Sequence, residues 1–120
     1  MTTYKDYPTF KKDLTNYILN KDIRGISRMY STTVSKKEVA KSISGITLSA
    51  NQYTEFNNIL HVKNDCSVDN KGNELYDFSI NGLYVPAYII YNKDSKTYSI
   101  ITYDFIQSLE SISNCSLDRQ

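Results

Sequence analysis

Between Leu75 and Tyr103 apolar and polar residues alternate with the period of two that a half-buried β-strand requires, and the alternation breaks at Asn81-Gly82 and again over 92–96. Asn-Gly between apolar runs is the strongest short signal for a two-residue type I′ hairpin, because both residues accept positive φ cheaply. It sets Ile80 opposite Leu83, Phe78 opposite Val85 and Tyr76 opposite Ala87, and the second turn sets Tyr91 opposite Thr97. The expected product is a three-stranded antiparallel meander over about 74–103. Pro86 lacks an N–H on the side of the third strand, so that strand should stop near Thr102.

This register sorts the side chains. One face carries Tyr76, Phe78, Ile80, Leu83, Val85, Ala87, Ile89, Tyr91, Ile101 and Tyr103, and reads as core. The other carries Leu75, Tyr84, Tyr88, Ile90, Tyr98 and Ile100 beside Asp77, Ser79 and Thr102, and is too apolar to stand wholly in water. Asp104-x-x-Gln107 has the spacing of a capping box and predicts a C-terminal helix over about 104–114, with Phe105, Ile106, Leu109 and Ile112 along one side. Either that helix folds back over the second face or a partner covers it.

Ahead of the meander the period changes to that of a helix. Phe10, Leu14, Tyr17 and Ile18 form an amphipathic stripe behind Thr9 as N-cap. Asp22 caps a short segment that turns Ile23, Ile26 and Met29 inward, in which Gly25 costs roughly 1 kcal/mol relative to alanine. Ser35-x-x-Glu38 and Ser49-x-x-Gln52 are two further capping boxes, stapled by Val34 with Val39 and by Leu48 with Tyr53. They predict a pair of short helices joined through Ser44-Gly45, the second running to Leu60. Residues 61–73 are polar and read as a loop. The expected fold class is α+β in one domain over 1–120: N-terminal helices including a helix-turn-helix over about 9–60, then the meander, then the C-terminal helix.

Helix, turn, helix and hairpin in that order is winged-helix-like, an arrangement whose second helix enters the DNA major groove while a hairpin touches the backbone. Asn51, Gln52, Asn57 and Asn58 on the second helix are suited to adenine edges. Arg24, Arg28, Lys36, Lys37 and Lys41 are placed to grip phosphates, with Lys93 and Lys96 at the tip of the wing. Against this, Glu55 lies inside the reading helix and no Lys or Arg does.

Charge adds a little to that picture. Residues 1–45 hold nine Lys/Arg against four Asp/Glu, and residues 46–120 hold five against nine, so the halves carry +5 and −4 within a net charge of +1. Eleven tyrosines and no tryptophan, among many Asn, Ile, Lys and Ser, match the codon usage of an AT-rich genome and suit a phage or mobile element. With no apolar leader and no membrane-length run, the reading is a cytoplasmic protein without a membrane partner. Cys66 and Cys115 fit no C-x-x-C spacing and are better read as reduced thiols than as a framework, with a bridge between the two as the alternative.

Catalytic signals are poor. His61 is the only histidine, and no serine or cysteine can be placed beside it. Asp65-x-Ser67-x-Asp69 begins like a calcium loop but has Asn70 and Tyr76 where glycine and glutamate are needed. Asp77 with Lys93 lacks the second acid of a metal-dependent nuclease, since Tyr91 holds its place. The sequence therefore predicts a non-enzyme without cofactor or metal. Two functions follow: a small protein binding double-stranded DNA, or a module or inhibitor that offers Tyr84, Tyr88 and Tyr98, or the acidic loop of Asp65, Asp69 and Glu74, to a host protein. A homodimer built on the tyrosine face is a further alternative.

Overall fold

In a computed structural model, which describes residues 3–46, 59–106 and 109–119, Asn81 and Gly82 both take positive φ, 51° and 81°. Ile80 pairs with Leu83, so the hairpin between β3 (Glu74–Ile80) and β4 (Leu83–Asn92) closes where its sequence places it. That hairpin is the centre of a larger assembly. β5 (Thr97–Thr102) lies along β4; on the far side of β3 lie β1 (Leu60–Val62) and β2 (Cys66–Val68), and β6 (Glu110–Ile112) borders β2. The result is a six-stranded antiparallel sheet in the order β5-β4-β3-β2-β6, with β1 beside β3. Since Leu60 pairs with Ile80 and Ser67 with Leu75, β1 and β2 follow one another along β3 as one strand interrupted at 63–65.

Among the described residues three short α-helices accompany the sheet: α1 (Tyr7–Leu19), α2 (Ile23–Ser27) and α3 (Lys36–Ile43). The described chain is thus strand-rich, and the expected winged-helix-like fold, with a three-stranded meander between N- and C-terminal helices, is not what forms. The helix expected over 49–60 falls mainly on residues outside the described ones. Its last residue, Leu60, opens a strand instead. The polar stretch 61–73 supplies β1 and β2, strands of three residues each, too short to show a period.

Each helix is started by its own side chain. Asp6, three residues earlier than Thr9, is the N-cap of α1: its Oδ1 accepts the Thr9 N–H at 2.8 Å, and Pro8 sits in the first turn, where its missing N–H costs nothing. Asp22 Oδ1 accepts from Gly25 N–H at 2.9 Å, and Ser35 Oγ from Glu38 N–H at 3.1 Å. These caps aim Phe10, Leu14, Ile18, Ile26, Met29 and Val39 at one face of the sheet, where Tyr76, Phe78, Ile80, Val85, Ala87, Ile89, Tyr98 and Ile100 complete the core.

Two register changes decide which side chains reach that core. Beyond Ser79, paired with Tyr84, the ladder resumes with Asp77 opposite Tyr88 and Tyr76 opposite Ile89, not Ala87; β4 gains two residues at a bulge around Pro86. A slip of two leaves every side chain on its own face, so Tyr76, Phe78, Val85, Ala87 and Ile89 face the helices as expected. The second turn differs by one residue. Asn92 Oδ1 accepts from the Asp94 and Ser95 N–H groups, Lys96 takes φ of 57°, and Asn92, not Tyr91, pairs opposite Thr97. A slip of one turns a strand over: Tyr98 and Ile100 enter the core, while Ile101 and Tyr103 leave it. Leu83, expected in the core, is exposed at the hairpin end. β5 does stop at Thr102, opposite Ala87 and one residue short of Pro86.

No described residue after β5 is in an α-helix. Residues 103–105 form one 3-10 turn, Ile106 is extended, and the chain continues to β6 on the opposite border of the sheet. The Asp104 signal is overruled because Tyr103 packs its ring on Tyr88 and donates its hydroxyl to the Val85 carbonyl at 3.4 Å. Cys115, expected as a free thiol, is joined to Cys66 of β2 with the Cα atoms 6.3 Å apart. Around the bridge, the Glu74 carboxylate accepts the Ser116 N–H at 2.7 Å and the Tyr76 hydroxyl accepts the Leu117 N–H at 3.2 Å.

Gly25 has a positional reason. A Cβ there would lie 2.7–2.8 Å from three ring atoms of Tyr17, closer than carbon atoms pack. Gly25→Ala should therefore destabilise by about 1–2 kcal/mol despite alanine's better helix propensity, because the ring must move inside packed surroundings. Urea unfolding of the variant checks this; a stabilised protein would refute the contact.

Burial raises the phenol pKa of Tyr4, Tyr7, Tyr30 and Tyr76, and Tyr30, which also faces Glu38, is pushed up to about 12. These groups stay neutral in the fold while the unfolded chain ionises near 10.0. Their contribution to stability is complete below that pH and is lost as pH rises toward 12. The melting temperature should fall steadily between those values, and a flat profile would contradict the burial.

Candidate functional site

The face of the sheet turned away from the helices is where side chains with chemistry meet solvent. Four strands set its rows. His61 pairs with Ser79 and Ser79 with Tyr84; in the next row the Lys63 N–H donates to the Asp77 carbonyl and Asp77 pairs with Tyr88, which pairs with Ile101. Side chains in one row of an antiparallel sheet stand about 5 Å apart at Cβ. Here they enclose a shallow depression of about 300 Å³ lined by His61, Lys63, Asn64, Asp77, Ser79 and Tyr84.

Lys63 Nζ lies 3.2 Å from Asp77 Oδ2, and this hydrogen bond raises the lysine pKa. Tyr88 and Tyr103 stack at 4.6 Å between ring centroids, tilted by 53°. Burial raises both phenols, with the Asp77 carboxylate adding to it, so both are neutral hydrogen-bonding groups. Tyr84 stands at the rim, 67% exposed, beside exposed Leu83. The arrangement offers an aromatic anchor, one compensated ion pair and several hydroxyls. Among the described residues no hydrogen bond joins His61 to Ser79, and both cysteines are spent in the bridge.

The residues expected to bind a protein partner part company here. Tyr84 is exposed and Tyr88 half-buried on the outer face, but Tyr98 is fully buried on the helix side. Asp65 is exposed on the bend between β1 and β2. Asp69 spends its carboxylate on the Lys71 and Asn73 N–H groups, and Glu74 is buried beneath Ser116. The acidic loop is therefore no single patch.

The residues expected to bind DNA are also dispersed. Arg24 and Arg28 on and after α2 and Lys36, Lys37 and Lys41 on α3 are all exposed. Gly45, just past α3, abuts the Leu83 side chain at one end of β4. Lys93 and Lys96 lie beyond Asn92 at the other end, ten residues or roughly 30 Å away. The turn that carries them is not a wing beside α3. Asn51, Gln52, Asn57 and Asn58 lie outside the described residues.

Three groups with metal-ligating atoms, Cys66, Glu74 and Cys115, fall within 4.8 Å of one another. The two sulfurs are bonded together and the glutamate caps the turn that begins at Ser116, which accounts for the cluster without an ion. No described helix is long and apolar enough to cross a membrane. Sequence reasoning placed Asp77 and Ser79 on this face but missed His61, Lys63 and Tyr103. The first two lie on or next to a three-residue strand in a stretch that reads as loop, and the third moved with the one-residue slip at Asn92. Compared with known protein families, with curated proteins and with solved structures, the chain matches none.

Proposed function

We propose that the chain is a non-catalytic protein-binding module that presents the outer sheet face around Tyr84 to a protein partner. The observation that carries this reading is the two-thirds exposure of Tyr84 beside exposed Leu83, at the open end of a face that the described helices do not cover. A large side chain with a polar tip is a favoured anchor in interfaces, and it gains most when ringed by groups that exclude water. His61, Lys63, Asp77, Ser79 and Asn64 supply such a ring, with both donors and acceptors. A host protein is the partner class if the gene travels on a phage or mobile element.

This reading is preferred to duplex binding because the scaffold that would set a reading helix beside a wing is absent from the described residues. The test is a photo-crosslinking amino acid at position 84, exposed to extract from the organism that encodes the chain. One recurrent adduct, suppressed by excess wild-type protein but not by the Tyr84→Ala, Leu83→Ala double variant, is the expected result. Absence of any competed adduct overturns the proposal. Anisotropy with mixed-sequence duplexes at several salt concentrations is the second arm, and an affinity that falls steeply with salt would restore the DNA reading.

A further inference from the structure

The outer face has a second depression, at the end away from Tyr84. The chain leaving β5 passes Phe105 and Ile106 over one side of it, the turn between β2 and β3 closes the other, and the space between is about 410 Å³. Ile90 and Ile101 form its floor, and Ser31, Lys71, Asn92 and Ser99 stand around it.

We propose that this depression binds a small apolar carboxylate. The argument is a count of hydrogen-bonding capacity. Acceptors near the site are partly occupied: Asp69 Oδ1 takes the Lys71 and Asn73 N–H groups, Asp69 Oδ2 takes Asn73 Nδ2, Asn73 Oδ1 takes the Lys93 N–H, and Asn92 Oδ1 takes two N–H groups. Donors are left over. Asn92 Nδ2 and the Lys71 ammonium have no partner among the described residues, and Ser31 Oγ is buried without one.

A ligand that suits such a site accepts several hydrogen bonds, carries negative charge toward Lys71, and lays an apolar body on Ile90, Ile101 and Phe105. A hydrocarbon would leave the donors unpaired. The Asp69 carboxylate does not forbid an anion, because three N–H donors disperse its charge. A free organic acid and the C-terminal residue of a peptide offer the same chemistry. The site stands apart from Tyr84, so the inference does not rest on the protein-binding reading.

The experiment is a titration of the whole chain with labelled isoleucine methyl groups, using phenylacetate, its neutral amide, and the peptide Gly-Gly-Phe as probes. Phenylacetate or the peptide at millimolar concentration should shift Ile90, Ile101 and Ile106, and the amide should bind about tenfold more weakly. Asn92→Asp keeps the Oδ1 that holds the turn but removes the donor, and Lys71→Met keeps the backbone N–H that Asp69 holds; each should also weaken binding about tenfold. Binding by the peptide alone assigns the site to a chain terminus, and binding by phenylacetate to a free acid. No methyl shift with either carboxylate, equal affinity for the amide, or variants that bind like wild type would overturn the assignment.

Discussion

Reducing the Cys66–Cys115 bridge should lower the free energy of unfolding by about 4 kcal/mol. The bridge closes a loop of 49 residues, and a crosslink over that length removes much of the freedom of the unfolded chain. The native side contributes as well: β6 has three residues and pairs with β2 alone, so the segment after 109 is held by that short ladder and by the bonds of Ser116 and Leu117. For a domain whose whole stability is typically about 5–15 kcal/mol, such a loss is large. Urea unfolding with and without reductant, and of the Cys66→Ala, Cys115→Ala double variant, measures it. The denaturant dependence should steepen as the unfolded state expands. A change below about 1 kcal/mol would mean that the bridge constrains little.

Replacing Tyr98 with alanine should cost about 3–5 kcal/mol, whereas Tyr84→Ala should stay within about 0.5 kcal/mol of wild type. Tyr98 is fully buried and touches three other rings, with centroids 6.0 Å from Tyr7, 6.3 Å from Phe10 and 4.8 Å from Tyr91. Removing it opens a cavity where β5 meets α1. Tyr84 has most of its surface in water and leaves no void when truncated. Chemical denaturation of both variants decides the matter: similar costs would place the two tyrosines in similar surroundings, as the unslipped register predicts, and would contradict the observed pairing of Asn92 with Thr97.

How much of the fold was legible depended on whether a signal was local. Helix starts at Asp22 and Ser35 need only a side chain and an N–H three residues on, so they could be read directly, and the Asn81-Gly82 turn likewise. Face assignment along β3 and β4 survived the bulge at Pro86 because the slip was even. At Asn92 a side chain capped the turn and shortened it by one residue. That alone exchanged Ile101 and Tyr103 for Tyr98 and Ile100. The C-terminal stretch failed for another reason. Its capping pattern is real, yet β6 and the bridge are rewarded by β2, forty-odd residues earlier, and no window of local sequence contains both. The outer-face site inherits this division: Asp77 and Tyr84 could be placed from the hairpin, but His61, Lys63 and Tyr103 depend on long-range pairing.

The outer side of β5 is guarded by two separate pieces of chain. Tyr98 donates its N–H to the Tyr4 carbonyl, Ile100 donates to Met29, and Ser31 donates back to Ile100. A protease that clips the chain ahead of Asp6 removes one of these guards and leaves half of a sheet border bare. A bare border is a template for another extended chain, so trimmed molecules should associate more readily than intact ones. The segment around Tyr4 thus covers hydrogen-bonding groups of β5 that would otherwise be open to a second molecule.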